Sequence, residues 1–150
     1  MNQHGNSPEP LTRAECLELL ATRALGRVAY SRRALPAITT VAYEVVGDTV
    51  VLRVEADSSD LPSLRDAVVA FQADHAGVDH RRGWSVSCVG QARPVTDQHQ
   101  VALLEAAAGC AHGEYAFLRL DPDLLEGRVF HALPIAHDAA PLTAAAAPSS

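Results

Sequence analysis

Gly47 to Asp66 reads GDTVVLRVEADSSDLPSLRD, and the rest of the chain is parsed outward from it. Gly47-Asp48 is a turn pair. Beyond it Val50, Leu52 and Val54 alternate with Thr49, Val51, Arg53 and Glu55, the period-two pattern of a strand with one apolar face. Arg53 falls near the end of that strand, pointing away from Leu52 and Val54. Ser58 and Ser59 follow, then a short helix with Pro62 in its first turn. An arginine, two hydroxyls and a helix start within one turn can all donate to phosphate oxygens, so the stretch has the makings of an anion site. The same residues also allow a purely structural arrangement, in which Arg53 pairs with Glu55 and the polar loop side chains cap the helix.

Upstream, Ala37 to Val46 is rich in β-branched residues and forms a hairpin with the Arg53 strand. Arg27 to Ser31 is a shorter strand joined to it by a turn at Arg32 to Leu35, so the three form an antiparallel meander. Thr12 to Ala24 reads as a helix, with Thr12 and Glu15 as a capping box, Leu11 stapled onto Cys16, and Gly26 as the stop. Downstream, Ala67 to Ala73 (AVVAFQA) is apolar nearly throughout, which predicts a strand buried on both faces. Gly83 to Val95 is a long strand with a bulge or bend at Gly90 and its end at Pro94. Thr96 caps a helix running to Ala108 and closed by Gly109, and Tyr115 to Leu120 and Gly127 to Ala132 are the last strands. The expected fold is mainly β: a small barrel of six to seven mostly antiparallel strands with helical decorations. Residues 11–132 form its single domain, residues 1–10 a disordered N-terminal arm and residues 133–150 a disordered Ala/Pro-rich tail.

A net charge of −6 argues against nucleic-acid backbones and anionic membranes as partners, because both call for a basic surface. No apolar run approaches membrane-spanning length, and the first ten residues lack the apolar core of a signal peptide. Cys16, Cys88 and Cys110 are odd in number and widely spaced, which suits a reducing cytoplasm better than a disulfide framework. A cytoplasmic protein is expected.

The order of these motifs resembles a known family. LTRAECLELLATRALGRVAYS, a strand with a tyrosine, VVLRVEADSSDL, VVAFQAD and GWSVSCVGQARPVTD together look like the pyridoxamine 5′-phosphate oxidase-like, FMN-binding split barrels. The similarity runs from Leu11 to His131. Its most specific pieces are the opening helix leading into Gly26-Arg27-Val28-Ala29-Tyr30, and Gly83-Trp84-Ser85-Val86 with Gly90 beyond. The resemblance implies a homodimer of split barrels with a flavin in the groove between subunits. It further implies that the strand matching Thr40, Val41, Ala42 and Tyr43 lies along the flavin ring, largely through backbone groups. Arg53, with its neighbour Val54, and Ser58 and Ser59 match the residues at the phosphate, and Trp84 matches a residue that reaches the cofactor from near the interface. In such proteins the redox chemistry is the flavin's, and the protein supplies orientation, a dry groove and tuning hydrogen bonds. The chain departs from the pattern in three places. Asp60 stands where relatives often carry lysine, Asp57 precedes the serines, and Ala42 replaces an asparagine of the ring-facing strand. Two carboxylates near a flavin phosphate oppose its charge, and Asp60 is placed to cap the helix and occupy its N–H groups.

Other residues bear chemistry without forming a recognised pattern. Asp74, His75, Asp79 and His80 share one loop, but their spacing matches no standard zinc site, so no metal is expected. Cys110 and His112 follow a helix with nothing in the sequence to bring them near His75. Arg81 and Arg82 precede Trp84 and offer charge to a phosphate or carboxylate. Tyr30 and Tyr43 lie on adjacent strands, where each hydroxyl either faces a ligand or bonds to backbone. His131 ends the last strand. No residue stands out as a catalytic acid, base or nucleophile. The sequence therefore reads as an FMN-binding split-barrel homodimer acting as a small flavin-dependent oxidoreductase on a small-molecule redox substrate. The alternatives are a deazaflavin or haem in the same groove, or a non-enzymatic ligand-binding or sensor protein that holds no flavin.

Overall fold

The computed structural model describes residues 9–77 and 82–131. Its elements in chain order are β1 (Glu9–Pro10), α1 (Arg13–Leu20), β2 (Leu25–Arg32), β3 (Leu35–Val46), β4 (Thr49–Glu55), α2 (Leu61–Leu64), β5 (Val68–Ala76), β6 (Arg82–Pro94), α3 (Gln98–Ala108), β7 (Tyr115–Leu120) and β8 (Leu124–His131). All pairings are antiparallel, and the strands run β1-β8-β6-β5-β2-β3-β4-β7 with a further pairing of β6 to β7. That last pairing closes β6-β5-β2-β3-β4-β7 into a barrel and leaves β8 and the two-residue β1 as a flap on β6. The expected antiparallel split barrel is the fold observed.

β6 makes this closure possible. It is 13 residues long and pairs with β5 along most of its length. On its other edge it pairs with β8 from Arg82 to Val89, then with β7 from Ala92 to Pro94. Gly90 lies where the edge changes partner. A Cβ there would collide with the Asp121 carbonyl, so the close approach requires glycine. Its pairing with Val69 is intact, so the strand changes partner at Gly90 without the expected bulge.

The barrel interior is filled by inward residues of β2 to β7, among them Val28, Tyr43, Leu52, Phe71, Val86, Leu118 and Leu120. Cys16 and Leu20 of α1 and Leu61 and Leu64 of α2 complete this core. A smaller cluster of Val51, Leu104 and Phe117 holds α3 against the outer face of β4 and β7.

Several local expectations are corrected. The first helix ends at Leu20, not Ala24, and is capped by Ala21. Its capping box is as expected, with Thr12 Oγ1 accepting from Glu15 N at 3.2 Å and Glu15 Oε1 from Thr12 N at 3.1 Å. Gly26 is no helix stop but part of β2, where a Cβ would sit 2.5 Å from the Phe71 ring. α3 is capped by Asp97 rather than Thr96, its carboxylate accepting from Gln100 N at 2.9 Å. β5 is not buried on both faces: Val69, Phe71 and Ala73 point inward, whereas Val68 is 71% exposed. The residues of its outward face are apolar enough to hide the alternation.

Candidate functional site

The sheet opens between β3 and β4. Their ladder runs from Val46 opposite Thr49 to Ala42 opposite Arg53 and stops there. β4 continues beside β7 until Glu55 meets Tyr115, while β3 follows β2 toward the Arg32–Leu35 hairpin. The diverging strands leave a groove of about 400 Å3, walled by Thr39, Thr40, Val41 and Ala42 on one side and by Arg53, Val54, Glu55 and Tyr115 on the other. Ser58, Asp60 and Leu64 complete the lining. The structure thus brings together six of the residues singled out above: Thr40, Val41, Ala42, Arg53, Val54 and Ser58.

Arg53 is half-buried and does not pair with Glu55. Its guanidinium carbon lies 5.1 Å from the centroid of the Tyr115 ring, a cation–π contact, and the residue lines the groove. Among the described residues Arg53 forms no ion pair. Sequence reasoning missed Tyr115, because its place beside Arg53 comes from the pairing of β4 with a strand some sixty residues later.

Asp60 also differs from expectation. Its side chain makes no cap bond to α2. It accepts a hydrogen bond from the Tyr30 hydroxyl and lies 3.9 Å from the Arg32 guanidinium. The carboxylate in turn raises the Tyr30 pKa, chiefly through that hydrogen bond. The loop uses its own amides: Ser58 N donates to Glu55 O, Asp60 N to Ser58 Oγ and Leu61 N to Ser58 O, at 3.0, 3.1 and 3.2 Å. The helix start therefore offers an anion little, and the side-chain donors lining the groove are the Arg53 guanidinium and the hydroxyls of Thr39, Thr40, Ser58 and Tyr115.

The remaining expected residues lie apart. Tyr43 points into the barrel, packs edge-on against Phe71 at 4.9 Å and donates its hydroxyl to Leu20 O at 2.6 Å. Burial pushes its pKa up to about 12. Its backbone N–H is bonded to Ala24 O at 3.0 Å. Ser59 is exposed on the loop and outside the groove lining. Trp84 is buried inside the barrel in line with Val86 and Cys88, away from the lining. Asp74 pairs with Arg27 at 2.5 Å, and His75 is exposed at the end of β5. Asp79, His80 and Arg81 lie outside the described residues. Arg82 and His131 are exposed and face each other across β6 and β8. His112 meets the Glu105 carboxylate at 3.0 Å, beyond the far end of α3.

A second cavity of about 420 Å3 adjoins the groove across Arg53. It lies between the end of α1 and α3, over Tyr43, Glu44 and Val45, and its walls include Arg23, Val51, Leu104, Ala107 and Phe117. A third, of about 540 Å3, continues from it along α3 and shares Glu44, Val51, Leu104 and Ala107. Arg53 is the residue common to the first two.

A closed antiparallel barrel whose sheet opens between two strands is a split barrel. The chain belongs to the pyridoxamine 5′-phosphate oxidase family, whose profile matches residues 12–129. It is 39% identical over 97 residues to the uncharacterized protein Rv0080 of Mycobacterium tuberculosis, a match covering 61% of this chain and 64% of that protein's length. It is also similar to the FAD-binding protein of Mycobacterium smegmatis, with 28% identity and a TM-score of 0.69 over 82% of this chain and 98% of that one. The FAD- and haem-binding protein of the same organism shares the fold at a TM-score of 0.68, with 20% identity over 84% of this chain and 75% of that one.

Proposed function

We propose that this protein binds a flavin in the groove between β3 and β4 and acts as a small flavin-dependent oxidoreductase. The observation that carries the reading is Arg53, a half-buried residue that forms no ion pair among the described residues and rests on Tyr115 where the two strands separate. A buried or half-buried cation is normally paired, and a phosphate is the partner whose geometry suits the guanidinium fork. Arg53 and Ser58 would hold that phosphate, and the free edge of β3 from Thr39 to Ala42 would face the ring. The flavin when bound would supply hydride or electron transfer, while the chain binds and orients it and keeps water from one face. The likeness to an FAD-binding protein over nearly its whole length supports the reading. For the haem alternative, the described residues lining the groove and the cavity beyond Arg53 include no histidine, cysteine or methionine. With the Tyr43 hydroxyl bonded to Leu20 O, this leaves the Tyr115 hydroxyl as the side chain of axial-ligand type there.

The proposal includes a homodimer. Ile38, Ala29, Ala70, Val89 and Leu124 are successive cross-strand neighbours, forming one apolar row across the outer face of β3, β2, β5, β6 and β8. Ile38 and Leu124 are 68% and 62% exposed, and Val68 beside the row is 71% exposed. A contiguous apolar row of this kind marks an interface, and a second copy of the same face fits it by two-fold symmetry. The test is an absorbance spectrum of the purified protein, flavin titration, and sizing by light scattering. A flavin band or saturable binding by a dimer is expected. A colourless monomer that ignores flavins would overturn the proposal.

A further inference from the structure

The charge and space around Arg53 bear on which flavin the groove takes, an inference that rests on the flavin reading above. A terminal phosphate needs room on only one side of the cation that holds it. Arg53 has room on both, with the groove of about 400 Å3 on one side and the cavity of about 420 Å3 on the other. The groove wall also carries two carboxylates, Glu55 and Asp60, against the single guanidinium of Arg53. Asp60 is only partly offset by Arg32 at 3.9 Å, and the Tyr30 hydroxyl fixes its position. Outside Tyr115 the groove mouth is acidic again, with Asp57 and Glu114 beside Glu55.

These features distinguish two kinds of phosphate. A phosphomonoester places close to two negative charges on one phosphorus at neutral pH, and it must meet the carboxylates at full strength. In a diphosphate bridge each phosphorus carries one charge, and the chain continues on both sides. The total charge is similar, but the charge next to Asp60 and Glu55 is halved. We propose that Arg53 holds the internal diphosphate of a flavin dinucleotide, with the two ends of the molecule in the groove and in the cavity beyond, and that Asp60 and Glu55 select it over flavin mononucleotide.

The experiment is a titration of flavin-free protein with riboflavin, FMN and FAD, followed by flavin fluorescence, in the parent and in the Asp60→Asn and Glu55→Gln variants. Removing one carboxylate charge about 4 Å from a phosphate changes affinity by an amount between about fivefold, at the dielectric of water, and about a thousandfold, at the effective dielectric of a protein surface. FAD is therefore expected to bind at least ~10-fold more tightly than FMN in the parent. Each variant should tighten FMN more than FAD and so narrow the gap. Glu55 is exposed, and Asn at position 60 can still accept from the Tyr30 hydroxyl, so both variants are expected to fold. FMN binding as tightly as FAD in the parent, or variants that leave the ratio unchanged, would overturn this inference alone. Failure of all three flavins to bind would overturn the flavin reading and this inference with it.

Discussion

Replacing Tyr43 by phenylalanine separates a structural role from a ligand-binding one at a position where both are plausible from sequence. The hydroxyl donates to Leu20 O at 2.6 Å and so ties the end of α1 to β3, from inside the barrel. A neutral intramolecular hydrogen bond contributes about 0.5–1.5 kcal/mol net, and an orphaned buried acceptor costs about 1–3 kcal/mol. Leu20 O keeps a second bond, from Arg23 N at 3.2 Å, so it is not orphaned when the hydroxyl goes. The edge-on contact with Phe71 also survives the change. The expected loss is therefore about 1 kcal/mol, against about 3–5 kcal/mol for Tyr43→Ala, which would also leave a cavity. With a urea m-value of about 2 kcal/mol/M, Tyr43→Phe should lower the unfolding midpoint by roughly 0.5 M. Flavin affinity should stay within about twofold of the parent, because the hydroxyl faces the core. An unchanged midpoint together with a tenfold weaker flavin would refute this account and return the hydroxyl to the site.

Four further outcomes follow. Because burial raises the Tyr43 pKa from 10.0 to about 12, the folded state holds that proton more tightly. Its share of stability is complete below pH 10, falls as pH rises toward 12, and should be missing from the difference between parent and Tyr43→Phe in alkaline urea titrations. The Glu105–His112 pair has opposite shifts, Glu105 lowered chiefly by the hydrogen bond from His112 and His112 raised by its bond to Glu105. Its contribution should be largest between the ordinary values of 4.5 and 6.5, fade as pH falls through the Glu105 value or rises through that of His112, and disappear in Glu105→Gln. An NMR titration of the His112 ring in that variant should show the pKa lower than in the parent. Gly26→Ala would drive a Cβ to 2.5 Å from the Phe71 ring and 2.8 Å from the Gln72 carbonyl, and is expected to cost about 1–3 kcal/mol by thermal denaturation. Tyr115→Leu removes the platform under Arg53, so flavin affinity should fall severalfold while Tyr115→Phe retains it.

The barrel was legible because its strands announce themselves locally. In Val50 to Glu55 the period-two alternation matches the register observed, with Val50, Leu52 and Val54 inside and Arg53 and Glu55 outside. The same rule misled at Val68 to Ala73. There the outward residues are also apolar, so the alternation vanishes from the sequence and reappears only in the burial pattern. An exposed apolar face reads like a core. Gly26 misled for a related reason: a glycine after a helix suggests a stop, whereas this one is required by a ring that arrives from β5. At the site, Arg53 and Ser58 were visible together from one strand and its loop, whereas Thr40 to Ala42 and Val54 entered only through the family resemblance. Tyr115 under Arg53 and the Tyr30–Arg32 grip on Asp60 depend on strand pairings and loop placement distant in sequence, and no local pattern predicts them. Trp84 fills the barrel of its own chain and lies outside the groove lining.

The most direct test of the central claim is calorimetric titration of the parent and of Arg53→Ala with FAD, alongside circular dichroism of both proteins. The parent should bind at micromolar levels or tighter. Arg53→Ala should bind at least ~100-fold more weakly with an unchanged spectrum and melting curve, since a charge-assisted phosphate contact is lost and no core residue is touched. Equal affinity in the two proteins would place the flavin phosphate elsewhere and contradict the assignment of the groove between β3 and β4.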